Sequence, residues 1–301
     1  MRPTTALRRI LAEPGCTMSV SAHDPLLARL VEKAGFRVVG LSGNAIAAAY
    51  LGMPDLGFVN LGDMVNVAGR IAAAVSIPIL VDADTGYGNA MGVLRTVREL
   101  ERAGAAGIII EDQIDYKKCA MIQTAHPVVP AEDHAAKVRA ACSARSDPDF
   151  VIVARTDAAA DLGLDEAIHR GSLYAEAGAD MLNIQIPGTP DEVERIGKAK
   201  LPVPLMASMD EGKKLSLNDL SFLASAGYKL ASFPGLIRYT IVRAVRENLA
   251  YLMEHKSTVG IRDRLATVEE YFGAVDLDRY LDLEKDLLRP FRGGKSSASA
   301  E

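Results

Sequence analysis

The order of residues predicts an α/β protein, a (β/α)8 barrel of the TIM type with a C-terminal helical extension. Three observations lead there. Short apolar or β-branched runs recur eight times, at 17–20, 38–41, 79–82, 108–111, 151–155, 181–184, 203–207 and 230–233. Amphipathic helical patterns separate most of them, among them 90–103, 131–144, 164–177, 189–198 and 217–226. Four helix ends close on one signal, Ala34-Gly35, Ala103-Gly104, Ala177-Gly178 and Ala226-Gly227, where a glycine just past the helix takes the left-handed conformation. Eight parallel strands, each followed by a helix, close a barrel. An open doubly wound sheet would need a glycine-rich phosphate fingerprint after its first strand. Ser21-Ala22-His23-Asp24-Pro25 stands there instead.

The chain has 301 residues, enough for one barrel and its helices. The reading is a single domain over 1–290 that includes helical patterns at 237–254, 268–272 and 277–286. A barrel does not need these last helices, so they are expected to pack against a partner subunit. The polar stretch 291–301 reads as a disordered tail. A hydrophobic share of 49% with 24% charged residues excludes a disordered chain. A net charge of −5 argues against non-specific nucleic-acid binding. No apolar run reaches the length of a membrane span, and no apolar segment follows the early arginines as in a signal peptide. Cys16, Cys119 and Cys142 form no paired framework, which points to a reducing cytoplasm. Cys16 and Cys142 read as packing residues. His126 and His134 read as surface or capping residues, since no other ligand lies at zinc-like spacing.

Chemistry in a barrel sits where strands end. Those positions carry Ser42-Gly43, Asp82, Asp84, Glu111-Asp112, Arg155-Thr156-Asp157, Gln185, and Ser208 with Glu211. Carboxylates converging on one rim repel unless a cation holds them. Oxygen ligands suit a hard ion, and magnesium commonly keeps waters beside one or two carboxylates. Asp82 and Asp84 leave the third strand on the same side, and Gly86 and Gly88 let the chain turn into the next helix. Cys119 follows Lys117 and Lys118, cations of the kind that activate a thiol.

Six ordered segments carry a resemblance: Ser42-Gly43, Leu51 to Gly57, Val81 to Gly88, Ile110 to Gln113, Lys117-Lys118-Cys119 and Ala154 to Asp157. Together they resemble the isocitrate lyase/phosphoenolpyruvate mutase superfamily, from about Thr5 to about Leu288. The resemblance implies a barrel whose last helix is exchanged between subunits of a homotetramer. It implies magnesium, with manganese as an alternative, bound directly by Asp84 and through waters by Asp55, Asp82 and Glu111. It implies that Ser42, Gly43 and Arg155 hold an α-keto or α-hydroxy carboxylate. Cys119, with Lys118 beside it, matches the proton-donating loop of the superfamily's lyases, which favours carbon–carbon lyase over mutase.

Several positions depart from the family pattern. Ala120-Met121 replaces Gly-His, Gln185 a glutamate, Ser208 an asparagine, Gly235-Leu236 a Leu-Ser/Thr pair, and Gly40 a tyrosine. Met121, Leu236, Gln185 and Ser208 are therefore expected to line a second half-pocket more alkyl than one for succinate. The expected reaction is magnesium-dependent cleavage of an alkylmalate-like 2-hydroxy acid to an α-keto acid and a carboxylic acid. Oxaloacetate decarboxylation or hydrolysis, phosphonate mutation, and metal and keto-acid binding without catalysis are the alternatives.

Overall fold

Eight parallel strands close on themselves in sequence order: β1 Thr17–Ser21, β2 Val38–Leu41, β3 Ile79–Asp82, β4 Gly107–Glu111, β5 Val151–Thr156, β6 Met181–Ile184, β7 Leu205–Ser208 and β8 Tyr228–Phe233. The computed structural model of the chain describes residues 1–289 except 115–116, 118, 120–126, 186–188, 210 and 212–219. The predicted barrel is therefore the observed one, with each strand within a few residues of its expected place. The expected tail at 291–301 lies outside the described residues.

Around the barrel run α1 Pro3–Ala12, α2 Pro25–Lys33, α3 Gly43–Ile46, α4 Leu61–Ala72, α5 Ala90–Arg102, α6 Ala131–Ala144, α7 Ala159–Leu162, α8 Leu164–Glu176, α9 Pro190–Lys198 and α10 Leu220–Ser225, and α11 Leu236–His255 follows β8. The predicted Ala-Gly stops hold: Gly35, Gly104, Gly178 and Gly227 have φ of 90°, 95°, 106° and 90°, a region that costs glycine little. Helix starts are capped as their sequences ask. Asp24 accepts from the Leu27 amide, and Thr189 with Glu192 forms a reciprocal capping box.

Two apolar cores result. The outer one lies between strands and helices and includes Val39, Val81, Ile108, Ile152 and Leu182. The inner one fills the barrel with Val38, Leu80, Val151, Val153, Met181, Met206 and Leu230. Leu7, Ile10 and Leu11 of α1 join that inner core. Arg8 fastens α1 to Asp180 at 2.8 Å and Thr4 fastens it to Asp147 at 2.7 Å. The amino-terminal end of the barrel is thereby plugged, which leaves the carboxyl-terminal end for a pocket.

By internal contacts the chain divides into two units, Met1–Glu247 and Asn248–Glu301, where the sequence reading drew one domain over 1–290. The second unit carries a 3-10 turn at Val259–Arg264, α12 Val268–Ala274 and α13 Leu277–Leu287, with Ile261 and Ala274 buried. Among the described residues no helix is long and apolar enough to cross a membrane. One histidine reading is corrected. His134 is fully buried on α6, because it shares the inward stripe of Ala131, Ala135 and Val138. Its ring meets Tyr174 edge-on at 4.6 Å, and burial holds its pKa down at about 3. His126 lies outside the described residues.

Candidate active site

A cavity of about 100 Å3 opens at the carboxyl-terminal ends of the strands. Ser42, Asp55, Asp82, Cys119, Arg155, Gln185 and Ser208 all line it. The structure thus brings together most of the residues the sequence singled out. Strand periodicity explains why: inward positions alternate, so one strand offers Asp82 above Leu80 and another Gln185 above Asn183.

The carboxylates gather through local backbone geometry. Asp84 has φ of 48°, a left-handed conformation for a residue with a side chain. The Asp82 carboxylate holds it there by accepting the Asp84 amide at 3.1 Å, while the Asp84 carbonyl accepts from the Glu111 amide at 2.8 Å. Gly43 donates its amide to Asp82 at 3.2 Å. A Cβ at Gly43 would lie 2.8 Å from Asp84 Oδ1, so only glycine lets that carboxylate approach. Asp55, Asp84 and Glu111 are buried, and Asp82 is half-buried.

Lys117, which the sequence reading did not single out as a site residue, supplies the cation among them. Its ammonium lies 3.2 Å from Asp55 and in short contact with Asp84. Burial is the main influence on both partners. It pushes the Asp84 carboxyl up to about 6, with Asp82 adding to the rise and Lys117 opposing it. The surrounding carboxylates more than offset burial at Lys117 and hold its ammonium charged, above the usual lysine range. Burial likewise raises Glu111 well above the carboxylate range, against Arg155 and Lys117. Both Glu111 carboxylate oxygens lack a hydrogen-bond partner among the described residues. Arg155 Nη1 lies 3.0 Å from one of them as an ion pair.

These features fit a divalent cation. Glu111 has two buried oxygens without a hydrogen-bond donor among the described residues, and Asp55 and Asp84 converge where an ammonium already stands as the positive charge. Among the described residues no three Asp, Glu, His or Cys side chains are grouped so as to hold a metal by themselves, and magnesium commonly keeps waters beside one or two carboxylates. A proton on Asp84 would compete with such an ion as pH falls through about 6. A raised carboxyl pKa also means that Asp84 costs stability as pH rises through that value. Added Mg2+ is therefore expected to raise the Tm clearly at pH 8 and little at pH 5. Thermal unfolding with and without the ion checks this.

Arg155 is fixed from behind. Its Nε and Nη2 donate to Asp157 at 2.9 and 2.8 Å. Asp112 accepts the Asp157 amide at 2.9 Å and the Thr156 hydroxyl at 2.7 Å. The same carboxylate takes Tyr174 OH at 2.8 Å and Arg170 Nη1 at 3.1 Å. Asp112→Asn would turn an acceptor into a donor facing these groups, at a cost of about 3 kcal/mol. The expected result is a Tm lower by roughly 6–12 °C together with weaker binding of oxalate, which Arg155 would hold. Calorimetry reads both.

Cys119 is half-buried at the cavity wall. Its amide donates to the Asp55 carbonyl at 3.2 Å, and its sulfur accepts from Asn44 Nδ2 at 3.0 Å. Asn44 was not legible as a site residue, because it is the second residue of the short α3, where a polar residue reads as surface. Lys118 and Met121 lie outside the described residues.

One expected pocket residue is elsewhere. Leu236 is exposed and lines an apolar groove with Leu27, Leu30, Phe36, Ile237 and Ile241, on the α2 side. α11 begins at Leu236, and two residues along a helix are turned by about 200°. Arg238 therefore reaches the cavity instead. The expectation that Leu236 gives the second half-pocket an alkyl wall is overturned.

Comparison with known proteins agrees with this geometry. Residues 7–252 match the family described as phosphoenolpyruvate phosphomutase. The chain is 35% identical over 284 residues to a 2,3-dimethylmalate lyase of Eubacterium barkeri, covering 94% of this chain and 98% of that one. It superposes with a TM-score of 0.90 and 32% identity on a phosphoenolpyruvate phosphomutase of Streptomyces platensis subsp. rosaceus, covering 96% and 100% of the two chains. A phosphonopyruvate hydrolase solved with oxalate and Mg++ matches with a TM-score of 0.84, 32% identity and coverage of 96% and 100%. The chain belongs to the isocitrate lyase/phosphoenolpyruvate mutase superfamily. Its relatives within that superfamily are enzymes, among them carbon–carbon lyases such as the 2,3-dimethylmalate lyase and a 2-methylisocitrate lyase of Aeropyrum pernix.

Proposed function

We propose that this chain is a magnesium-dependent lyase that cleaves a substituted malate, a 2-hydroxy dicarboxylic acid, to an α-keto acid and a carboxylic acid. The observation that carries the reading is one small cavity lined by Asp55, Asp82 and Arg155, with Asp84 held by the Asp82 carboxylate and Glu111 paired to Arg155. Asp84 would hold the ion directly, with Asp55, Asp82 and Glu111 around it, and manganese would suit the same oxygens. When bound, the metal supplies a Lewis acid beside the keto-acid oxygens. Arg155 grips the carboxylate and steadies charge that develops on the adjacent oxygen. Ser42 and Gly43 close the same end, and Cys119 gives its proton to the departing carbanion.

The leaving acid falls to Gln185, Ser208 and Arg238. Arg238, stacked 4.9 Å over the Tyr239 ring, supports a second carboxylate at this end. A panel of 2-hydroxy and 2-keto acids with Mg2+, followed by hydrazone detection of the keto acid, tests the reading. Substituted malates should be cleaved faster than isocitrate. Isocitrate cleaved as fast would overturn the assignment, and turnover of oxaloacetate alone would favour the hydrolase reading.

The chain is further proposed to work as a homotetramer with exchanged C-terminal helices. α11 buries no residue and exposes Val242, Val245, Leu249 and Met253, a stripe that a monomer would leave wet. Light scattering after size exclusion should give about four chain masses. A monomer at micromolar concentration would defeat this reading.

A further inference from the structure

Beneath the carboxylates and Arg155 the cavity continues into the barrel, and there its character changes. Its walls are Ser19, Ser21, Gly40, Asn183, Ser208 and Ser232, none of them charged. Strand register puts them on neighbouring rungs of the same inward face. Ser19 pairs with Ser232, Ser232 with Ser208, and Ser21 with Gly40. Asn183 pairs with Arg155, directly beside the residue that would grip the substrate carboxylate. Leu80 and Met206 of the inner core also line the cavity.

Two observations make this a built site rather than a row of small residues. Asn183 is 2% exposed and donates to Ser208 Oγ at 3.1 Å, yet its Oδ1 has no partner among the described residues. Turning the amide over would leave its nitrogen unpaired instead, so one end of the group stays unmet in either assignment. A buried polar group in that state calls for a ligand or water. The second observation is Gly40. A Cβ there would stand 2.8 Å from the Ser21 hydroxyl, so any side chain at 40 would crowd the space that glycine keeps open.

We propose that this alcove is a substrate subsite for a neutral hydroxyl group on the carbon chain of the 2-keto or 2-hydroxy acid. A hydroxyl both donates and accepts, and so it satisfies Asn183 in either orientation together with a serine. The alcove walls themselves carry no cation, so a second anion would find its partners at Arg155 or Arg238 rather than here. A methyl group would leave the amide and hydroxyls unpaired in a water-poor space. The favoured substrate class is thus a malate-type acid whose substituent carries a hydroxyl rather than a bare alkyl group. This rests on the keto-acid reading above.

The test compares isosteres that differ only in OH against CH3. Hydroxypyruvate and 2-oxobutyrate, then 4-hydroxy-2-oxobutyrate and 2-oxopentanoate, are titrated into the full chain with Mg2+ by calorimetry. Oxalate, which needs only the metal and Arg155, is the control. At least one hydroxyl acid should bind about tenfold tighter than its methyl partner. Gly40→Ala and Asn183→Leu should each bring that ratio close to one while oxalate affinity stays within about twofold. If either variant fails to fold, Ser19→Ala with Ser232→Ala carries the same expectation. Methyl acids binding as tightly as hydroxyl acids would overturn the proposal and mark the alcove as a place for water alone. A hydroxyl preference that survives the variants would overturn it too. If the unaltered protein fails to bind oxalate, the keto-acid reading falls and the subsite falls with it.

Discussion

Replacing Arg155 with lysine should lower kcat/KM by about 10²–10³, the loss usual for one preorganised group facing a developing oxyanion. Lysine keeps the charge but loses the planar fork. That fork is what the structure uses. Two of its nitrogens hold Asp157 at 2.8 and 2.9 Å, which turns Nη1 toward Glu111 at 3.0 Å. An ammonium can meet one of these carboxylates but not span both in the same geometry. Stability should fall less than when the charge is removed, because one of the buried anions keeps a counter-charge. Arg155→Met is the contrasting case. It would strand Asp157 and Glu111, both about 1% exposed, and a broken buried pair costs about 3–5 kcal/mol. Thermal unfolding should therefore separate the two variants where activity does not. Equal activity of the lysine variant and the unaltered enzyme would remove Arg155 from the chemistry.

The barrel was legible because each strand is a short apolar run and each helix carries a 3.6-residue stripe, so local pattern and global fold agree. The rim carboxylates were legible for a related reason, since polar residues at the ends of apolar strands have nowhere to point but the rim. Other features depend on tertiary placement. α1 has Leu7, Ile10 and Leu11 at helical spacing, but nothing local says that this stripe plugs a barrel. Lys117 sits beside Lys118 in a polar stretch, and only folding puts its ammonium among Asp55 and Asp84. Asn183 shares its inward face with Gln185, and the period-two rule could have found it once the strand was known. Leu236 failed for the opposite reason. Its place in the sequence relative to β8 looked like a rim position, and the helical phase that begins there sends it outward.

Removing the thiol of Cys119 should separate the lyase from its relatives' other reactions. In cleavage, the bond between the two product carbons breaks toward the departing acid, which leaves as a carbanion and needs a proton. Cys119 stands on the cavity wall with its sulfur accepting from Asn44 Nδ2 at 3.0 Å. That contact occupies one sulfur lone pair and stabilises the thiolate left after the proton departs. The Cys119 amide donates to the Asp55 carbonyl at 3.2 Å, which ties the backbone at the thiol to that of one cavity carboxylate. Cys119→Ala is therefore expected to slow keto-acid release from a cleavable malate by about 10²–10⁴. Oxalate affinity should stay within about twofold, since oxalate needs no proton. Asn44→Ala should act in the same direction but more weakly, by about tenfold, and should add little once the thiol is gone. Full turnover in the alanine variant would assign the proton to another group and favour a hydrolase or decarboxylase on this scaffold. Loss of oxalate binding alongside activity would instead make Cys119 a packing residue of the cavity wall.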